Sequence, residues 1–70
     1  MFLPEKLRTA REKNKYTVDG LMVALNNMGL RISGQTIRNW EKGVTSPNAN
    51  QLGKLASFLK QLPNYFYNNK

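Results

Sequence analysis

Neither cysteine nor histidine occurs in this chain of 70 residues, and that double absence narrows what it can fold into. No disulfide can staple it, no thiolate or imidazole can hold a metal, and the commonest general base of catalysis is missing. A chain this short supports one domain with a small core. Its stability has to come from packed secondary structure alone.

Apolar residues recur with the period of a helix and nowhere alternate with period two over a useful length. Pro4 is tolerated in a first helical turn, Glu5 suits the positive end of the helix dipole, and Leu3, Leu7 and Ala10 share a stripe through Arg8 to Lys13. Thr17 is an N-cap ahead of Asp19, and Leu21, Ala24, Leu25 and Met28 follow at helical spacing until Gly29 supplies a stop. These signals predict a second helix over about 17–29. Ser33 caps a third over about 34–42, in which Ile37 and Trp40 face inward, Lys42 sits in the last turn and Gly43 takes the left-handed position after it. Asn48 with Gln51 makes a capping box, and Leu52, Leu55, Ala56, Leu59 and Leu62 form a stripe that Pro63 ends. Tyr65, Phe66 and Tyr67 then make a closing turn over the core. The chain therefore reads as all-α, a compact bundle of four to five short helices in a single domain over 1–70, with residues 68–70 frayed.

Eleven Lys/Arg against four Asp/Glu give a net charge of +7, which favours a polyanionic partner, nucleic acid or an anionic membrane. The cations are scattered over several helices among acidic neighbours, unlike the continuous cationic face of a membrane-surface helix. No apolar run approaches a membrane span, and the N-terminal MFLPEKLRTAREK lacks the apolar region of a signal peptide. A soluble protein of the cell interior is expected. Enzymatic chemistry has little to work with: Glu5, Glu12, Asp19 and Glu41 are the only carboxylates, and no glycine-rich loop follows a strand. No enzyme activity, cofactor, metal or small-molecule substrate is expected.

The stretch SGQTIRNWEKG, residues 33–43, carries the partner-facing chemistry. With Ile37 and Trp40 inward, Gln35, Thr36, Arg38 and Asn39 spread over the rest of the helix surface near its N-terminal half. Gln and Asn can bond adenine bidentately, Arg can fork onto guanine O6 and N7, and a Thr methyl can meet that of thymine. Gly34 would bring the backbone close to a phosphate or base edge.

Here the sequence resembles the helix-turn-helix domains of phage repressors, Cro proteins and related bacterial regulators, the Cro/repressor or XRE-like superfamily. The resemblance covers most of the chain and rests on LRTAREKNKYT, the region of Leu21, SGQTIRNWEKG as recognition helix, the SPN turn and NQLGKLASFLKQLPNYF. It implies a DNA-binding regulator, a repressor or Cro-like protein of a phage or mobile element, working on a double-stranded operator in the bacterial cytoplasm and nucleoid-associated when bound. Gln35 and Asn39 would read bases, with Thr36 and Arg38 as base or phosphate contacts. Lys42, Thr45, Ser46 and the backbone amides near Gly43 would meet phosphates. Glu41 would pair with Arg11, a structural ion pair away from DNA. Val18 stands where the family commonly has a phosphate-binding Gln, and Thr17 is the available substitute. The connection from Leu21 to Ile37 is several residues longer than the family pattern, which is expected to extend the second helix and lengthen the turn, where Arg31 can reach a phosphate.

Plainer roles suit other residues. Trp40 belongs to the core, and Tyr16 and residues 65–67 pack at helix joints before they offer any dimer surface. Lys6, Arg8, Lys13 and Lys15 form the solvated face of the first helix beside Glu5 and Glu12. The alternative from another functional class is a protein-interaction module, an antitoxin or antirepressor, gripping a protein partner or a second copy through residues 65–67 and the apolar edge of the last helix.

Overall fold

In the computed structural model, which describes residues 1–67, three of the four α-helices begin at a side chain that replaces a missing acceptor. Helix α1, Pro4–Lys13, starts without a side-chain cap, Pro4 occupying a position whose N–H would have been unsatisfied. Helix α2, Val18–Asn27, starts at Thr17, whose Oγ1 accepts from Gly20 N. Helix α3, Gly34–Lys42, starts at Ser33, which accepts from Thr36 N. Helix α4, Ala49–Phe58, starts at Asn48 with a full capping box to Gln51, both bonds at 2.8 Å. A 3₁₀ turn, Pro63–Phe66, closes the chain. The architecture is all-α, and among the described residues the only β-type pairing is an isolated bridge between Phe2 and Tyr67.

All four helices end in the same way, with a residue in the left-handed region and two backbone bonds that fold back over the last turn. Those residues are Lys15, Gly29, Gly43 and Lys60, at φ of 64°, 89°, 78° and 61°. In α2, Gly29 N donates to Asn26 O and Leu30 N to Leu25 O, both at 3.0 Å. In α4, Lys60 N donates to Ser57 O at 3.3 Å and Gln61 N to Ala56 O at 2.9 Å.

These stops decide where two apolar stripes end. In α2, Thr17 is the N-cap and the left-handed Gly29 the stop that the spacing predicted, but Met28 closes the helix as its C-cap and Leu30, past the glycine, takes the inward place. Met28 is left 38 % exposed. The extra length before α3 therefore lies in the turn, where Asn26 Nδ2 donates to Met22 O at 2.6 Å and to Ile32 O at 3.1 Å. Likewise Leu62 does not extend the stripe of α4, because Lys60 redirects the chain and leaves Leu62 73 % exposed.

The core gathers Leu7 and Ala10 from α1, Leu21 and Leu25 from α2, Ile37 and Trp40 from α3, and Leu52, Leu55, Ala56 and Leu59 at α4. Phe2 and Phe66 join it from the two ends, their rings stacked at 6.3 Å, with Leu3 N donating to Phe66 O at 2.7 Å. Of the aromatic triplet, Phe66 is fully buried, Tyr65 is half-buried under the ammonium of Lys6, and Tyr67 stays at the surface. The expectation that residues 68–70 fray falls outside the described residues. Helix α3 packs against both α1 and α2, which leaves its third side to solvent.

Candidate nucleic-acid interface

The inward face of α3 is narrow. Gly34, Ile37 and Trp40 are buried, at a spacing of three residues that keeps them on one side of the helix. Opposite them Gln35 and Arg38 are exposed, and Thr36 and Asn39 are partly exposed. Gln35 Nε2 donates to Asn39 Oδ1 at 3.0 Å, the one-turn separation that lets side chains meet on a helix. That bond uses the Gln35 NH₂ and the Asn39 carbonyl, so the complementary donor of Asn39 and acceptor of Gln35 are not spent in it. Ser33 Oγ and Thr36 Oγ1 are 3.1 Å apart, so the hydroxyl of Thr36 is tied to the cap.

One acid lies on this helix, and it is taken out of play. Arg11 Nε donates to Glu41 Oε2 at 2.7 Å and Arg11 Nη2 to Glu41 Oε1 at 3.1 Å, a two-pronged pair whose side chains are 11 % and 10 % exposed. Arg11 Nη1 also donates to Tyr16 O at 2.8 Å, tying the end of α1 to the same point. The hydrogen bond that it donates to Glu41 holds the Arg11 guanidinium above its ordinary pKa, against the pull of desolvation, with the charges of Glu41 and Glu12 adding to the rise. The outward side of α3 thus carries amides, a hydroxyl and a guanidinium with no free carboxylate of its own.

Arg38 has a partner as well, on α2: its Nη2 lies 3.9 Å from Asp19 Oδ1. Gly34, expected at a phosphate, is buried beside that pair. A Cβ at Gly34 would stand 3.2 Å from Asp19 Oδ1, 3.5 Å from Arg38 Nη1 and 3.7 Å from Val18 Cγ1. A side chain here would crowd only the Asp19 carboxylate, by a few tenths of an ångström. Asp19 next to Arg38 was not readable from sequence, since the pair depends on how two helices cross.

The other residues nominated for phosphates are all at the surface. Thr17 is exposed with its Oγ1 accepting from Gly20 N at 3.0 Å, which leaves its proton to donate. Arg31 is exposed on the turn before α3. Lys42, Gly43, Thr45 and Ser46 are exposed in and after its last turn, with Val44, 67 % exposed, among them. Gly43 holds a left-handed φ of 78°, and a Cβ there would stand 3.3 Å from Pro4 Cγ, so glycine suits the stop on two counts.

With this geometry in hand, a helix-turn-helix family model matches residues 7–66, from α1 through the 3₁₀ turn. The chain belongs to the Cro/C1-type helix-turn-helix family. Membership makes it a DNA-binding domain of the kind found in transcriptional regulators, a family that is typically not enzymatic. No curated protein and no solved structure matches the chain. In this helix-turn-helix domain, α2 and α3 with the turn between them are the motif, and α1, α4 and the 3₁₀ turn build the core behind it. No helix among the described residues is long and apolar enough to cross a membrane, and no cluster of acidic residues among them is arranged to hold a metal.

Proposed function

We propose that residues 1–70 act as one sequence-specific reader of double-stranded DNA, a transcriptional regulator of the repressor or Cro-like kind, as found in phages and mobile elements, acting in the bacterial cytoplasm. Helix α3 lies in the major groove with Gln35, Thr36, Arg38 and Asn39 toward base edges, and α2 braces it across the backbone. Nine residues rise about 13 Å, two and a half turns, which fits the reach of a major-groove reader. Thr17, Arg31, Lys42, Thr45, Ser46 and the amides after Gly43 meet phosphates and set the register. Repression follows where the bound site overlaps a promoter and excludes polymerase.

The observation that carries this reading is the composition of α3's solvent side: base-reading side chains outward, the single acid of the helix bound back to Arg11, all in a chain of net charge +7. The test is selection of bound duplexes from a random pool at moderate salt, followed by sequencing. An enriched inverted repeat supports a dimeric operator reader, and a single enriched half-site supports a monomeric one. No enrichment of any sequence would overturn the proposal and turn attention to a protein partner.

A further inference from the structure

Asp19 has an ordinary explanation and a feature that explanation leaves out. A carboxylate in the first turn of a helix is favoured by the dipole, and α2 needs nothing more from it. Yet its Oδ1 points across to another helix, 3.9 Å from Arg38 Nη2, with the Asp19 side chain 77 % exposed and that of Arg38 49 % exposed. The pair passes directly over Gly34, whose missing side chain leaves the room it occupies: both Asp19 Oδ1 and Arg38 Nη1 lie within 3.5 Å of where a Cβ would be. It therefore sits at the N-terminal end of α3, the end that meets base edges in helix-turn-helix docking.

The placement is costly for a protein that binds DNA by charge alone. Among the other acids, Glu41 is held by Arg11 and Glu12 pairs with Arg8 on α1 at 3.3 Å. Asp19 puts an exposed negative charge beside the reading residues, where it repels phosphates and draws on the one guanidinium that α3 carries. An exposed carboxylate there lowers affinity for any duplex, so its benefit has to lie in discrimination between duplexes.

We propose that Asp19 is a specificity-determining residue of the DNA-binding face, which positions Arg38 for a base edge and withholds it from the phosphates. The inference rests on the DNA-reading role of α3 stated above. A guanidinium has five donors, and a single carboxylate oxygen 3.9 Å from Nη2 leaves enough of them to bond guanine O6 and N7 while the ion pair stays in place. On a duplex that lacks a guanine at that step, Arg38 could gain only a phosphate, and to reach it the side chain must leave Asp19. Non-specific binding is therefore penalised more than specific binding, which keeps the ion pair.

The experiment compares wild type, Asp19→Asn, Arg38→Ala and the double variant on the selected duplex and on random duplex across a salt series, with thermal melts to show that each is folded. Asp19→Asn is expected to bind random duplex more tightly, by no more than about fivefold because the pair is solvent-exposed. Its salt slope on random duplex should steepen by about 0.9 as Arg38 takes up a phosphate. The ratio of specific to random affinity falls as a result. In the Arg38→Ala background, Asp19→Asn no longer changes that ratio, a coupling that a free surface charge would not produce. A ratio unmoved by Asp19→Asn, or a fall that persists without Arg38, would overturn the proposal while leaving α3 as the reader. Failure of the wild type to select any sequence would overturn the DNA-reading role itself and this inference with it.

Discussion

Arg11 and Glu41, thirty residues apart in the chain, are joined by two hydrogen bonds at 2.7 and 3.1 Å, and the same guanidinium bonds Tyr16 O at 2.8 Å. One side chain thus fixes α3 to α1 and fastens the loop that leads into α2. It also keeps the only acid of α3 away from the solvent side. The pair stands behind the reading surface and sets its orientation.

Arg11→Ala or Glu41→Ala should destabilise the fold by about 2–4 kcal/mol, since each leaves a largely buried partner charge uncompensated, with slight exposure of both easing the loss. Urea unfolding followed by circular dichroism measures it. Replacing both at once, Arg11→Met with Glu41→Leu, should recover most of the loss, because no orphaned charge remains. If the double variant recovers none of the loss and stays well below wild type, the pair contributes net stability rather than only penalising its own disruption. The sign of the pH effect follows from the raised Arg11 pKa: this contribution is complete below the unfolded-state value and is lost only in the strongly alkaline range.

Lys15 and Lys60 close α1 and α4 in the left-handed conformation that glycine supplies at the ends of α2 and α3. Left-handed backbone costs a side chain roughly 1–2 kcal/mol, while glycine adds roughly 0.5–1 kcal/mol of unfolded-state entropy. Lys15→Gly and Lys60→Gly should therefore each stabilise the protein by about 0.5–1 kcal/mol, read as a raised midpoint in urea at unchanged slope. A lowered midpoint for either would show that its lysine side chain does more than terminate a helix.

These two stops also mark where the sequence ceases to be legible. Thr17, Ser33 and Asn48 announce helix starts because a cap needs a particular side-chain oxygen, and Gly29 and Gly43 announce ends because glycine is the residue that enters the left-handed region freely. A lysine in that region carries no such mark. The stripe of α4 therefore seemed to continue to Leu62, and the inward role of Phe2 stayed hidden because it depends on pairing the two chain ends. In the candidate site, the outward placement of Gln35, Arg38 and Asn39 follows from the period of Ile37 and Trp40 alone. The burial of Gly34 and the Asp19–Arg38 pair do not, because they belong to the crossing of α2 and α3.

The bond from Gln35 Nε2 to Asn39 Oδ1 makes the two amides one unit. Gln35→Ala and Asn39→Ala should each cost about 1–3 kcal/mol on the preferred duplex and relax preference at a base pair, with little effect on random duplex. Because each holds the other in place, the double variant should lose less than the sum of the single ones. Binding titrations on both duplexes decide it. Equal losses on specific and random DNA would remove them as readers.

Lys42 is exposed in the last turn of α3, past the N-terminal half that carries the amides. A lysine there acts on DNA as a point charge without base preference. Lys42→Ala should weaken preferred and random duplex alike and reduce the slope of log affinity against log salt by about one unit, the release of one condensed counterion. The effect separates it from Gln35 and Asn39, which should leave the slope untouched. It also separates it from Asp19, whose removal should steepen the slope. An unchanged slope would place Lys42 outside the phosphate contacts and restrict the backbone register to Thr17, Arg31, Thr45, Ser46 and the amides beyond Gly43.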